Sequence, residues 1–350
     1  MPEFLLPYTD VELTQEVNRI PNRFGLLNAI NLAPSEGKAS KYVRIDIKNG
    51  VVYVLSAEER GAPGQIGPDG DEGGVILQIP HFPHLEKIGV GDVDGVLQVI
   101  NGVVTAASID AELERKLVNI RGHHSITREF IRLGMLKGEI KDGRGRTLYD
   151  LFDVFDITKK VVDFGLDDAN TNVMDKVEEV IDHMHENVLG ETVTGYEAVV
   201  SPSFFSKFVS HTKVEKFWVQ AQNAALHTTI ERQRLAGNWG RVFEFGELRL
   251  REYKGSLPIK SANGEISNVK NIADDRGHAF PTGTQNMFRT YDGPVYHMSR
   301  INQAPNVDGE GEPIFISTEE LKHGEGYELK SQSNMLAICR QPECLVELTA

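Results

Sequence analysis

The stretch Gly61–Gly74, GAPGQIGPDGDEGG, carries glycine at 61, 64, 67, 70 and 73, which is the period of a collagen triple helix. How it is read decides the fold class. A triple helix needs glycine at every third residue over many proline-bearing triplets, because only hydrogen fits at its axis. Here the period is brief and holds two prolines, Pro63 and Pro68, with the acids Glu59, Asp69, Asp71 and Glu72 close by. So short a helix would not hold three chains together. Its flanks supply the better reading. YVRIDIKNGVVYVLSA (42–57) alternates, with Val43, Ile45 and Ile47 on one face and a turn signal at Asn49–Gly50. VILQIPHF (75–82) alternates again through Val75, Leu77 and Ile79. The glycine-rich piece is therefore the tip of a long connection between strands, wider than a hairpin turn, and its spacing by three is incidental.

Outward from there, 108–138 (SIDAELERKLVNIRGHHSITREFIRLGMLKG) predicts a long helix. Ile109, Leu113, Leu117, Ile120, Ile131 and Met135 recur at helical spacing, Ser108 is a candidate cap, and Gly122 marks a candidate bend. Its Arg115, Lys116, Arg121, Arg128 and Arg132 make it more basic than the chain as a whole. IKDGRGRTLYDLFDVF (140–155) reads as a hairpin turning at Asp142–Gly145. A short helix with Val11, Leu13 and Val17 as its apolar side follows a cap at Thr9 or Asp10 and ends at Pro21. A further helix spans about 172–188, and 195–201 reads as a strand leading to Ser201 and Pro202 at a helix start. Residues 241–255 read as a strand pair, and long insertions lie at 255–277 and 305–312. Strands and helices interleave without regular alternation, which is the α+β class.

The chain has 350 residues, 40% of them hydrophobic and 25% charged, enough for one large or two ordinary domains with a sizeable core. Its net charge of −14 repels nucleic acid, and it has no long basic run. The start, MPEFLLPYTDVE, has neither the charged nor the apolar region of a signal peptide, and the apolar runs are too short to span a bilayer. The reading is a soluble protein made in cytoplasm. Cys339 and Cys344, the two cysteines, read as reduced side chains near a terminal strand. Phosphate-loop, dinucleotide, nucleophile-elbow and zinc-protease motifs are all missing from the sequence. His81 with His84 and His183 with His185 are weak metal pairs without an obvious third ligand. GVGDVDG (89–95) and NVDGEGE (306–312) fit no calcium loop, and Trp218 and Trp239 read as core or interface anchors. No catalytic residue, cofactor or metal site is assigned.

Six segments, in this order, carry a resemblance: LTQEVNRIPNRFG (13–25), EERGAPG (58–64), PSFFSKFVSHTKVEKFW (202–218), RVFEFGELRLREYKG (241–255), HAFPTGTQNMFRTYDGP (278–294) and SQSNMLAICRQPECLVEL (331–348). The succession resembles the major capsid proteins of tailed bacteriophages, in the family of the lambda major head protein, also called capsid protein E. The resemblance covers nearly the whole chain and implies the Hong Kong 97-type capsid fold. Mapped onto this sequence it implies an N-terminal arm at 1–40 and an extended hairpin, the E-loop, at 41–85. It further implies a peripheral domain at 86–164 with a spine helix at 108–137, an axial domain at 165–325, and a return to the peripheral domain at 326–350. It implies a structural protein, not an enzyme, that assembles with itself into pentamers and hexamers of an icosahedral head in the host cytoplasm. Scaffold, portal and decoration proteins are further partners of that reading, packaged double-stranded DNA is touched weakly, and no membrane is involved. The expected assembly contacts join the tip, Gly61, Gly64, Asp69, Asp71 and Glu72, to Arg115, Arg121, Arg128 or Arg132 on a neighbour's spine. Three features depart from the pattern: a longer, more acidic tip, the Gly122-His123-His124 step, and no lysine–asparagine pair singled out for cross-linking. The alternative is a soluble carbohydrate- or calcium-binding module, such as a tail or decoration protein.

Overall fold

A computed structural model describes residues 8–20, 25–48, 72–93, 97–100, 103–106, 109–223, 231–235, 238–260, 265–300, 302–305 and 314–350. Two sheets organise it. One has seven strands, in the order Glu231–Leu235, Asn238–Phe245, Leu248–Glu252, Gly195–Val200, Arg276–Thr282, Val346–Thr349 and Lys160–Asp163. The other has five and is built on a single long strand, Gly326–Cys339. The first part of that strand lies between His81–Gly89 and Phe315–Glu320; its end pairs with Phe288–Asp292, which in turn pairs with Ser35–Gly37.

The seven-stranded sheet packs a core of phenylalanines. Ser201 caps the helix Pro202–Ser210, its hydroxyl accepting from the Phe204 N–H, and proline at the first helical position needs no donor. That helix delivers Phe204, Phe205 and Phe208, all fully buried. Phe208 meets Phe245 edge to face at 5.6 Å, and Phe164 meets Phe204 at 5.7 Å. Such pairs add about 0.5–1.5 kcal/mol each beyond their area. The helix Val173–Asn187 closes the same core with Val173, Val177, Val180 and Met184.

Against the five-stranded sheet lies the long helix Ile109–Lys137, helical throughout, Gly122 included. Its cap candidate, Ser108, lies outside the described residues. Leu113, Leu117 and Ile120 join Leu13 and Val17 of the helix Asp10–Arg19, Ile316 and Leu329 of the sheet, and Ile314 just before its strand in one small core. Ile131, Leu133, Met135 and Leu136 enter a larger one. Thr9 caps Asp10–Arg19 in a reciprocal box with Glu12.

Several elements depart from the sequence reading. Residues 75–82 are not one strand: Glu72–Gln78 and His81–Gly89 are separated at Ile79–Pro80 and belong to different sheets. Proline has no N–H for a ladder, so the chain changes partners there. Tyr42–Lys48 pairs with Glu72–Gln78, so Glu72, Gly73 and Gly74 are strand, not tip, and the turn signal at Asn49–Gly50 lies outside the described residues. Leu151–Phe155 is a turn of helix, because the Asp150 carboxylate accepts from the Phe152 and Asp153 N–H groups and stops the strand. The insertion at 255–277 contains a hairpin, Ser256–Lys260 with Ile266–Lys270. Val11 is exposed, leaving Leu13 and Val17 as the buried side. The end of the chain divides between the sheets: Gly326–Cys339 packs on the long helix, and Val346–Thr349 is an interior strand of the seven-stranded sheet. Cys339 and Cys344 are both buried and unbridged. Among the described residues no helix is long and apolar enough to cross a membrane.

The long helix's two glycines have different surroundings. A Cβ at Gly122 meets nothing within 4 Å, whereas one at Gly134 sits 2.9 Å from the Glu139 carbonyl oxygen and 3.0 Å from Ile140 Cα. Gly122→Ala should therefore stabilise the unassembled subunit by about 0.5–1 kcal/mol, the helix-propensity gain. Gly134→Ala should destabilise it, because backbone must move. Urea midpoints of the two variants check this.

Candidate assembly surface

The hairpin Tyr42–Lys48/Glu72–Gln78 has two faces because strand side chains alternate. Val43, Ile45 and Leu77 on one face, with Ile79 just beyond, are buried in the larger core. Two hydrogen bonds of 2.9 Å fix its base: the Gln78 N–H donates to the Tyr149 hydroxyl, which donates back to the Gln78 carbonyl. On the other face Tyr42 and Ile76 stand 46% and 66% exposed. Gly61, Gly64, Asp69 and Asp71 lie outside the described residues, and Glu72 is in register with Lys48.

The four arginines expected to meet a neighbour are placed very differently from one another. Arg115 is on the surface and pairs with Glu112 one turn back, its Nε 2.8 Å from Oε2. Arg121, Arg128 and Arg132 are buried, at 3%, 2% and 4% exposure, and are bound within their own subunit. This corrects the expectation for these three. Arg121 donates to the Ile20 carbonyl at 3.0 Å. Arg128 donates to Asp292 at 2.6 Å and to the Ser35 hydroxyl at 2.7 Å. Arg132 donates to the Ala33 carbonyl at 2.8 Å and to Asn28 Oδ1 at 2.9 Å.

They belong to a polar stripe. Arg121, His124, Ser125, Arg128, Glu129 and Arg132 recur at the spacing of one helix face and are all buried. Glu129 accepts from the N–H groups of Leu27 and Asn28, at 3.0 and 2.9 Å, and from the Tyr253 hydroxyl at 2.7 Å. It thereby caps the helix Leu26–Ile30, whose own cap residue, Gly25, has no side chain. Gly25 has φ +97°, and a Cβ there would lie 2.2 Å from Glu129 Oε2, so glycine is required twice over. Burial pushes the Glu129 carboxyl up, opposed by the Leu27 N–H bond and the Tyr253 hydroxyl bond. It also pushes Asp292 up, opposed by Arg128. His124 lies between the Ser333 and Ser331 hydroxyls at 2.8 and 3.1 Å. Burial, helped by His84 and His123, pushes its pKa down to about 3.

Of the weak metal pairs, His81 turns to Asn334 at 2.7 Å and His183 to the Glu343 carbonyl at 3.1 Å. His84 instead faces Glu86 and His123, a set the sequence reading did not assemble. The side chains of Trp218 and Trp239 and residues 306–312 lie outside the described set.

The sequence model of the family described as phage major capsid protein E matches residues 9–350. The chain belongs to that family. Two curated relatives, the major capsid proteins of Salmonella phage Felix O1 and Pseudomonas phage KPP10, are each 28% identical, the matches covering 97% of this chain and 95% of theirs. Among solved structures, the putative capsid protein of a prophage of E. coli CFT073 superposes with a TM-score of 0.57 at 8% identity, covering 98% of this chain and 99% of that one. The mature capsid of bacteriophage PhiM1 gives 0.50 at 12% identity, covering 93% and 87%. The fold is the Hong Kong 97-type capsid fold. The alternative of a carbohydrate- or calcium-binding module is not favoured.

Two outcomes follow for the capsid subunit's stripe. Arg128→Leu leaves Asp292 buried without its cation, so the unassembled subunit should lose about 3–5 kcal/mol, read from urea unfolding. His124 is neutral when folded and takes up a proton near pH 6.5 when unfolded. Its contribution to stability is full above about 6.5 and declines as pH falls towards about 3. Subtracting the pH profile of His124→Gln from that of the parent should leave a slope of about one proton, roughly 1.4 kcal/mol per pH unit, across that window.

Proposed function

We propose that copies of this chain close into rings of five and six, and that the rings build an icosahedral head around double-stranded DNA. That the chain is a phage major capsid protein follows from its family. The finer reading rests on one observation: the hairpin's base is anchored by Val43, Ile45 and Leu77 while Tyr42 and Ile76 on its opposite face are left to solvent. A ribbon held this way has a fixed base and a free apolar face. In this reading it lies across the adjacent copy, covering apolar side chains that the single subunit leaves exposed.

Closed rings require heterologous contacts that return to their start. Each contact can be weak, since a subunit makes several and their effects multiply. The acidic tip, Asp69 and Asp71 with Glu72 beside it, meets a neighbour's Arg115, the one arginine of the four at the surface. An exposed pair contributes about 0–1 kcal/mol, so it sets register more than strength. The net charge of −14 keeps the shell from gripping DNA, whose tight binding through many lysines would hinder packaging and ejection. Assembly takes place in the host cytoplasm, with scaffold, portal and decoration proteins as the class of partner a head needs.

Electron microscopy of the expressed chain tests this. Closed shells or ring-shaped capsomers are expected; a monodisperse monomer under all assembly conditions would sink it. Ile76→Asp, at an exposed position, should change subunit stability by no more than about 0.5 kcal/mol yet abolish closed shells. Reversing Asp69, Asp71 and Glu72 to lysine should lower the yield of closed shells, and an unchanged yield removes the tip from the mechanism.

A further inference from the structure

The strand His81–Gly89 turns alternate residues towards the long helix: Phe82, His84, Glu86 and Ile88 are shielded while His81, Pro83, Leu85 and Lys87 are exposed. Phe82 and Ile88 suit that side. His84 and Glu86, two polar groups between them, need another explanation. Opposite them on the helix stands His123. The His84 and His123 rings are 4.6 Å apart between centroids, and His84 Nε2 is 3.3 Å from Glu86 Oε1. One ligand atom from each of the three falls within 4.8 Å of the others.

From this geometry we infer that His84, Glu86 and His123 form a binding site for a divalent transition-metal ion of the zinc class. Two imidazole nitrogens and one carboxylate oxygen match that class, whereas calcium and magnesium ask for oxygen throughout. Zinc bonds of about 2.0–2.1 Å set tetrahedral ligand atoms about 3.4 Å apart, so small side-chain rotations complete the site. The remaining oxygen of Glu86 accepts from Lys116 at 3.0 Å. That bond orients the carboxylate from behind, as the outer partners of metal ligands do, and leaves Oε1 facing His84 Nε2, whose proton the ion would replace. Neighbouring imidazoles are excluded as ligands by their own bonds: both nitrogens of His124 are held by serines, and His81 Nδ1 is held by Asn334. The site opens to a groove of 1070 Å³ also lined by Thr127, Arg144 and Tyr149, which gives an entry path and room for water as fourth ligand.

The ion would join two elements that otherwise meet through side-chain packing and the Glu86–Lys116 pair. One is the strand that continues the hairpin's second limb past Ile79–Pro80; the other is the long helix. Binding to the folded state alone raises stability with metal concentration. The inference does not rest on shell formation, and its test reads the subunit directly.

Full-length chain is stripped with EDTA and titrated with Zn²⁺ by calorimetry, with thermal midpoint as a second readout and the visible spectrum of added Co²⁺ as a third. Expected are one ion per chain, a raised midpoint, and the intense bands of low-coordinate cobalt. His123→Ala removes an exposed ligand and should leave the stripped subunit's midpoint nearly unchanged. It should weaken Zn²⁺ binding by about tenfold or more and abolish the midpoint shift. His84→Gln should do the same, and the exposed His323→Ala should not. No zinc uptake by the stripped chain overturns the inference. So does uptake that His123→Ala leaves intact, and this variant decides alone if His84→Gln fails to fold. Either outcome leaves the shell reading untouched.

Discussion

The subunit depends on a charged helix face that is buried. Arg128 and Asp292, at 2% and 0% exposure, meet at 2.6 Å where the long helix crosses the five-stranded sheet. Taking two such charges out of water is costly, and their attraction repays it only with good geometry and further hydrogen bonds. Here the bonds come from distant parts of the chain. Ser35 and Ala33 supply the connection after the first helices, Thr290 and Asp292 one strand, and Ser331 and Ser333 another. In this one register the stripe meets partners on three separate segments of the chain. The helix is thereby locked against the sheet in rotation as well as position.

That lock fixes where the hairpin points. Its buried side chains sit in the core that Ile131, Leu133 and Met135 enter from the same helix. The strand that follows it, His81–Gly89, pairs with Gly326–Asn334, whose Ser331 and Ser333 hold His124. A rigid frame matters more to a shell subunit than strength at any one contact. Small errors of angle in each copy accumulate across a closed shell and would prevent it from closing. The zinc-class site, where strand and helix face each other across His84 and His123, lies at one seam of the same frame.

Much of the frame could be read from the chain. The long helix, the strand pair at 241–255 and the capped helix after Ser201 each follow from local spacing and capping, which neighbours reinforce. The polar stripe did not emerge because an amphipathic search seeks apolar residues at i, i+3, i+4 and i+7. The signal is nonetheless present: Arg121, His124, Ser125, Arg128, Glu129 and Arg132 keep that same period in polar residues, and basic character alone does not distinguish a buried face from an exposed one. Glu86 was within reach too, since residues two apart on a strand share a face with His84. His123 was not, because nothing local says which helix face meets which strand.

The α+β class, the long helix, the alternating strands about the glycine-rich stretch and, through the order of its segments, the capsid family are all legible in the chain alone. Those are properties of local spacing and of chain order. Tertiary structure alone decided that three helix arginines are interior and that Glu129 caps a helix some hundred residues away. It alone decided that the chain's last strand enters the seven-stranded sheet. Burial and partnership depend on which surfaces meet, and residues far apart along the chain set that only when the whole has closed.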